Sequence, residues 1–380
     1  MQSVRLTVDL SAIRKNFRML RSLLGPAVGI MGVVKSDAYG HGILRVARVL
    51  EDEGAEYLAV AYLEEAIVLR DGGIKAPLVI LCGLAGRGEF KEAVERGLIP
   101  VLYDLEAIAK LSSAAQRIGR QASFQLKIDT GMGRLGISPD EVTRFIEVIR
   151  QSPGLRLQAL MSHLSSADDP DGQFTMLQLD RFRDVLNIAG SSVLDLSCSS
   201  LANSAGVLLH PETRLAMVRP GIMLYGYGPV TADAIKNIMP AMRFTGRILQ
   251  TKILEKGSPV SYGRTYYTSS PKRIAITTGG YGEGLMRAMS NKASVLIAGR
   301  KVPVIGAVCM NMTICDITEL PVIPAPGDEV VFIGARGEEK ITAEDLAKWS
   351  STISYEILCS IGQRHKKEYL DEKTDHLYPE

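Results

Sequence analysis

The chain has 380 residues, 46% of them hydrophobic and 23% charged, enough to bury a large core and to form two domains. Its 44 Lys and Arg offset 42 Asp and Glu to leave a net charge of +2, with no long run of either sign; this argues against nucleic acid or a membrane surface as partner and for a small molecule. The five cysteines (Cys82, Cys198, Cys309, Cys315, Cys359) are never spaced C-x-x-C, so neither a disulfide framework nor a metal site is expected.

The opening residues pass directly into an apolar alternation without a secretory signal, and no apolar run approaches the roughly 20 residues of a membrane span; a cytoplasmic protein is expected. Leu6–Leu10 reads as a strand, and Ile13, Phe17, Leu20 and Leu24 then share one helical face. Apolar runs follow at Ala27–Val34, Tyr57–Ala61, Leu78–Cys82, Leu98–Tyr103, Phe124–Ile128, Leu157–Ser162, Val193–Ser197 and Ala216–Leu224. Between most of them the apolar spacing is helical, as at Ile43, Val46, Ala47 and Leu50. Such βα alternation predicts an α/β fold, a closed (β/α)8 TIM-type barrel over residues 11–232, with an open doubly wound sheet as the alternative. Beyond it, strands such as Phe244–Leu254, Ile274–Thr278 and Glu329–Ile333 lack long intervening helices. They predict a second, mostly β domain of residues 1–10 plus 233–380. The tail after Arg364 carries no motif and can be partly disordered.

Barrel chemistry gathers at the carboxyl ends of the strands. Lys35 closes the first barrel strand before a Gly-flanked loop, and is either an amine that forms a Schiff base with a carbonyl cofactor or a solvated rim lysine. Lys127-Ile128-Asp129-Thr130-Gly131-Met132-Gly133-Arg134 follows the fifth, where glycines admit a ligand and Arg134 suits a carboxylate, or simply form a turn. Asn203-Ser204 opens a short helix and Arg219-Pro220-Gly221-Ile222 lies in the last strand, where barrels often bind phosphate. Ser204 is also an ordinary helix cap; Arg219 in an apolar strand must find partners.

These segments, with Val33 to Gly42, Ser261-Tyr262-Gly263-Arg264-Thr265-Tyr266 and Ile353-Ser354-Tyr355-Glu356, resemble the alanine racemases, fold-type III pyridoxal 5'-phosphate (PLP) enzymes, over nearly the whole chain. The resemblance implies interconversion of L- and D-alanine by two bases, supplying D-alanine for peptidoglycan. Lys35 would carry PLP and act as one base, and Tyr262 as the other. Tyr39, Ser204, Gly221, Ile222 and Tyr355 would hold the phosphate, with Leu81 and Asn203 lining the cofactor. Arg219 would donate to the pyridine nitrogen, keep it unprotonated and so favour return of the proton to Cα. His163 would link Tyr262 to Arg219. Arg134 and Met310 would bind substrate, Lys127 would be a carbamylation site that orients Arg134, and Tyr281 an access gate. The family is also a head-to-tail homodimer with shared active sites, and no metal is implied.

Ala307 and Asn311 stand where the family usually has an arginine and an aspartate, which suggests a looser access route. A racemase of serine or of a broader amino-acid range therefore remains an alternative. A non-catalytic PLP-carrier protein would lack the β domain and Tyr262.

Overall fold

Strand β1 (Arg5–Asp9) runs straight into helix α1 (Leu10–Leu24), whose first turn is held by the Asp9 carboxylate accepting the Ala12 N–H at 3.0 Å. Ile13, Phe17 and Leu20 are at most 1% exposed, so each stabilises the fold by roughly 1.5–3 kcal/mol of apolar burial. The computed structural model describes residues 3–190, 196, 198–229, 238–371 and 374–379.

The barrel elements follow in order: β2 (Gly29–Val33), α2 (Lys35–Gly40), α3 (Ile43–Asp52), β3 (Tyr57–Val60), α4 (Leu63–Asp71), β4 (Leu78–Ile80), α5 (Arg87–Glu95) and β5 (Ile99–Leu102). Next come α6 (Leu105–Ile118), β6 (Ala122–Lys127), α7 (Val142–Arg150), β7 (Leu155–Met161), α8 (Gln173–Gly190), α9 (Ser204–Leu209) and β8 (Met217–Val218). The strands pair in parallel in the order β7-β6-β5-β4-β3-β2-β8. Ser200 closes the ring through parallel bridges to Met161 and Met217. Among the described residues this position of the barrel is a single bridging residue. The strand expected at Val193–Ser197 lies, apart from Leu196, outside the described residues. Phe124, Leu126 and Ile128 face the helices and pack with Leu111, Phe145, Ile146 and Phe182. Alternation along β6 therefore turns Gln125 and Lys127 into the barrel.

Contacts divide the chain into a barrel unit, Ile13–Ala38 and Ile43–Met239, and a β unit, Met1–Ala12, Tyr39–Gly42 and Pro240–Glu380. The expected break at 232/233 falls outside the described residues. The β unit comprises β9 (Met242–Leu254), β10 (Pro259–Val260), β11 (Tyr266–Tyr267), β12 (Lys272–Thr278), β13 (Ser294–Ile297), β14 (Arg300–Pro303), β15 (Met312–Asp316), β16 (Glu329–Arg336) and β17 (Glu339–Ile341). It ends with α10 (Ala343–Ser350), α11 (Ser354–Gly362), β18 (Lys367–Asp371) and β19 (Thr374–Pro379). Its main sheet runs β14-β13-β16-β9-β1-β18-β19, with β12 beside β9 and β15 beside β12. The tail is thus paired: β18 lies parallel to β1, matching Leu6 with Lys367, and β19 adds antiparallel to β18. Tyr39–Gly42 joins this unit because Gly40, at φ +82°, meets Gly362 so closely that a Cβ on either would strike the other's backbone.

Candidate active site

Lys35 opens α2 immediately beyond β2, and its ammonium makes no hydrogen bond or ion pair among the described residues. The residues after it form a left-handed turn: Ser36, Asp37, Ala38 and Tyr39 have φ of 54°, 55°, 53° and 55°. None is glycine, so each position costs about 1–2 kcal/mol, strain of the kind that collects at functional sites. Local bonds hold it in place. The Glu65 carboxylate accepts the Ser36 N–H at 2.5 Å and the Ala61 N–H at 2.7 Å, and Asp37 accepts the Ile43 N–H at 2.7 Å.

Arg219, 4% exposed, extends from the end of β8. Nη1 donates to Ser200 Oγ at 2.6 Å; Nη2 donates to the Ser162 carbonyl, to the Leu201 carbonyl at 3.2 Å and to His163 Nδ1 at 3.2 Å. Burial pulls its pKa down to about 9, which leaves it charged at neutral pH. Burial, with Lys127, Arg219, Arg134 and Lys35 nearby, holds His163 well below the ordinary histidine value, so its imidazole is neutral. Because Nδ1 accepts from Arg219, the ring proton belongs on Nε2. Lys127 is likewise pushed well below the usual lysine range, by burial first and then by Arg219 and Arg134.

The Arg134 loop is folded around Asp129, whose carboxylate accepts N–H groups from Gly131, Met132, Gly133 and Arg134 at 2.7–3.2 Å. Partial burial works against its ionisation, but these four bonds prevail and keep it below the usual carboxyl value. The Arg134 side chain is left exposed at the mouth. Gln178 of α8, fully buried, donates to Thr130 Oγ1 at 3.3 Å and to the His163 carbonyl at 3.0 Å, and accepts the Ser165 N–H at 2.9 Å. It ties the loop bearing Arg134 to the strand end bearing His163.

Ser204 Oγ accepts the N–H groups of Gly221 at 3.0 Å and Met223 at 3.4 Å, which leaves its own hydrogen to donate elsewhere. Ile222 begins a 3-10 turn, Ile222–Tyr225, whose first amide has no acceptor within the turn. Asn203 caps α9 through Oδ1, accepting the Gly206 N–H at 2.9 Å, and half-buried Leu81 lies just past β4. These donors suit a phosphate; the Arg219 Nε, which makes no hydrogen bond among the described residues, suits a pyridine nitrogen; and the spare Lys35 amine suits an aldehyde. The barrel unit thus fits PLP by its donor set.

In the β unit, the rings of Tyr39 and Tyr355 approach with centroids 5.8 Å apart. Burial pushes the Tyr39 phenol far up, so it remains a donor. Tyr262 is 69% exposed in a 3-10 turn, Tyr262–Arg264, between β10 and β11. The preceding Ser261, at φ +62°, is pinned by donating to the Ala307 carbonyl at 2.6 Å. Ala307 itself is buried, and Tyr281 and Met310 are exposed. Asn311 is not a spare amide: its Nδ2 donates to Glu283 Oε1 at 2.6 Å.

The expected site residues therefore form two sets. The barrel unit carries Lys35, Leu81, Lys127, Arg134, His163, Asn203, Ser204, Arg219, Gly221 and Ile222; the β unit carries Tyr39, Tyr262, Tyr281, Met310 and Tyr355. Glu65, Gln178, Ser200 and Glu283 are further organising residues that motif reading passed over. Glu65 and Glu283 sit three residues past a turn start, a spacing that signals only a cap.

Residues 8–229 match the profile of the alanine racemase N-terminal domain and residues 241–369 that of the C-terminal domain. The alanine racemase of Syntrophobacter fumaroxidans is 42% identical over 366 residues, covering 95% of this chain and 96% of that protein. The crystal structure of alanine racemase from a D-cycloserine producing Streptomyces lavendulae superposes with a TM-score of 0.92 at 34% identity, covering 98% of each chain. That of Bartonella henselae, with covalently bound pyridoxal phosphate, gives 0.88 at 29% identity, covering 97% of this chain and 100% of the other. With matches to both domains and relatives aligned from end to end, the chain belongs to the alanine racemase family.

Proposed function

We propose that this protein racemises alanine with PLP held on Lys35, and that the buried Arg219–His163 pair is the observation that carries the reading. When bound, PLP supplies electron withdrawal that makes the substrate Cα–H acidic. The protein's part is to hold the group and move the proton. Tyr39, Ser204, Gly221, Ile222 and Tyr355 would bind the phosphate, with Leu81 and Asn203 beside the ring. Arg219, charged yet unwilling to give up a proton, would donate to the pyridine nitrogen without protonating it. Lys35 would exchange the proton on one face of Cα and Tyr262 on the other. A neutral His163 with its hydrogen on Nε2 is suited to donate to the Tyr262 phenolate, which favours the ionised base near neutral pH. Tyr262, Tyr281 and Met310 would reach this site from a second copy of the chain in a head-to-tail homodimer. Reduction with borohydride and peptide mapping should place the pyridoxyl group on Lys35. A label on any other lysine would sink the assignment. A panel of L-amino acids followed by chiral analysis separates an alanine enzyme from a serine or broad-range racemase.

Lys127 would be carbamylated. Its neutral amine can attack carbon dioxide, forming an N–C bond and releasing one proton, and the resulting anion would face Arg134 and Arg219. Protein equilibrated with 13C-bicarbonate should show a bound carbamate carbon resonance that is missing from Lys127→Met. The same resonance in both proteins would contradict this.

A further inference from the structure

Two loops of the β unit carry exposed residues assigned to the substrate side: the turn Tyr281–Glu283 and the segment Cys309–Met312. Their backbones are bound in register, with Gly279 N–H donating to Asn311 O at 3.1 Å, Tyr281 N–H to Cys309 O at 3.0 Å and Gly282 N–H to Met310 O at 2.7 Å. At Gly280 a Cβ would collide with the Cys309 and Met310 carbonyl oxygens, so the loops touch at the backbone.

One carboxylate sits across this junction. Glu283 Oε2 accepts the Gly280 N–H at 2.8 Å and closes the Tyr281 turn, while Oε1 accepts from the Asn311 amide at 2.6 Å. His365 adds a third tie, its Nε2 lying 2.9 Å from the Glu283 carbonyl. The Asn311 side chain thus couples the capping carboxylate of the gate turn to the loop of Met310. The chemistry is polar and directional: a carboxylate is an acceptor only, so in this chain the Asn311 amide is the donor of the pair. A carboxylate at 311 would face that of Glu283 at contact distance.

We propose that Asn311 and Glu283 form a latch that positions the Tyr281 gate against Met310, and thereby sets the fit of the small substrate. Both are positioning residues, and the proposal rests on the reading that Tyr281 and Met310 line the substrate site. Asn311→Asp breaks the latch by repulsion. The reciprocal pair Glu283→Gln with Asn311→Asp rebuilds it with donor and acceptor exchanged. The amide introduced at position 283 can still accept the Gly280 N–H through its oxygen, while its nitrogen donates to the carboxylate introduced at position 311.

The test uses the PLP-loaded protein and two readouts. Asn311→Asp should raise KM for L-alanine about fivefold with kcat nearly unchanged, the factor expected for two like charges at contact in a water-exposed setting. It should also speed hydrogen exchange at the Tyr281 and Gly282 amides. The double variant should return both quantities to within about twofold of wild type. Asn311→Ala, which removes the donor without adding charge, should show a smaller change in the same direction. A KM unaltered in Asn311→Asp, or a double variant no better than the single, overturns the latch, as does faster exchange without a KM change. Absence of racemisation in the wild-type protein would instead defeat the reading beneath it, while the exchange data would still report on the latch.

Discussion

Replacing Tyr262 with Phe should stop racemisation in both directions while PLP remains bound. In the proposed two-base scheme each direction takes a proton from one face of Cα and returns one on the other, so loss of either base would interrupt both. The loss should reach the roughly 10²–10⁴-fold typical of a missing acid–base group. Binding should survive because Tyr262 belongs to the β10–β11 turn, while the bonds that set Arg219 and Ser204 run to Ser200 and Gly221 of the barrel unit. The sharper measurement is deuterium exchange at Cα. With Lys35 intact, one face of the substrate still meets a base and the other does not. The family resemblance implies that Lys35 serves the D-alanine face and Tyr262 the L-alanine face, so D-alanine should exchange its Cα hydrogen with solvent at a substantial rate and L-alanine should not. Equal loss from both enantiomers, with cofactor occupancy unchanged, would remove Tyr262 from the role of second base.

Much of the barrel was legible because its signal is local. Strands such as Tyr57–Val60 and Ile99–Leu102 are continuous apolar runs, and helices such as α3 repeat buried residues at 3.6-residue spacing. What escaped reading has no local period. Among the described residues Ser200 closes the ring through isolated bridges, and a single bridging residue leaves no alternation to detect. The turn Ser36–Tyr39 is left-handed without a glycine among its four residues, so the usual marker of positive φ is missing. Its support comes from Glu65, distant in sequence.

The candidate site shows the same division. Lys35, Arg219 and the Asp129–Arg134 loop stand at strand ends, where barrel topology directs attention. Gln178 reads as one polar residue on an amphipathic helix, yet it is fully buried and holds Thr130 and His163. Asn311 stands out in the sequence only as a neutral amide, and its partner Glu283 only as a helix-turn acid; their pairing depends on a contact between two loops.

The proposed head-to-tail homodimer has Lys35 and Tyr262 of each site come from different chains, and subunit mixing tests it. Lys35→Ala and Tyr262→Phe should each be inactive as homodimers, since every site lacks one base. In a mixed dimer whose sites combine the barrel of one subunit with the β domain of the other, one site inherits both lesions. The second site then has Lys35 from one chain and Tyr262 from the other, both intact. Random re-association of equal amounts makes about half of the dimers mixed, each with one working site of two, so about one quarter of wild-type activity should return. The recovered activity should follow subunit exchange, appearing only after dissociation and re-association. If both bases of a site instead belonged to one chain, every site in the mixture would retain a lesion and no activity would return at any ratio. Wild-type turnover by a stable monomer would lead to the same rejection, because a lone chain could not supply a partner's Tyr262.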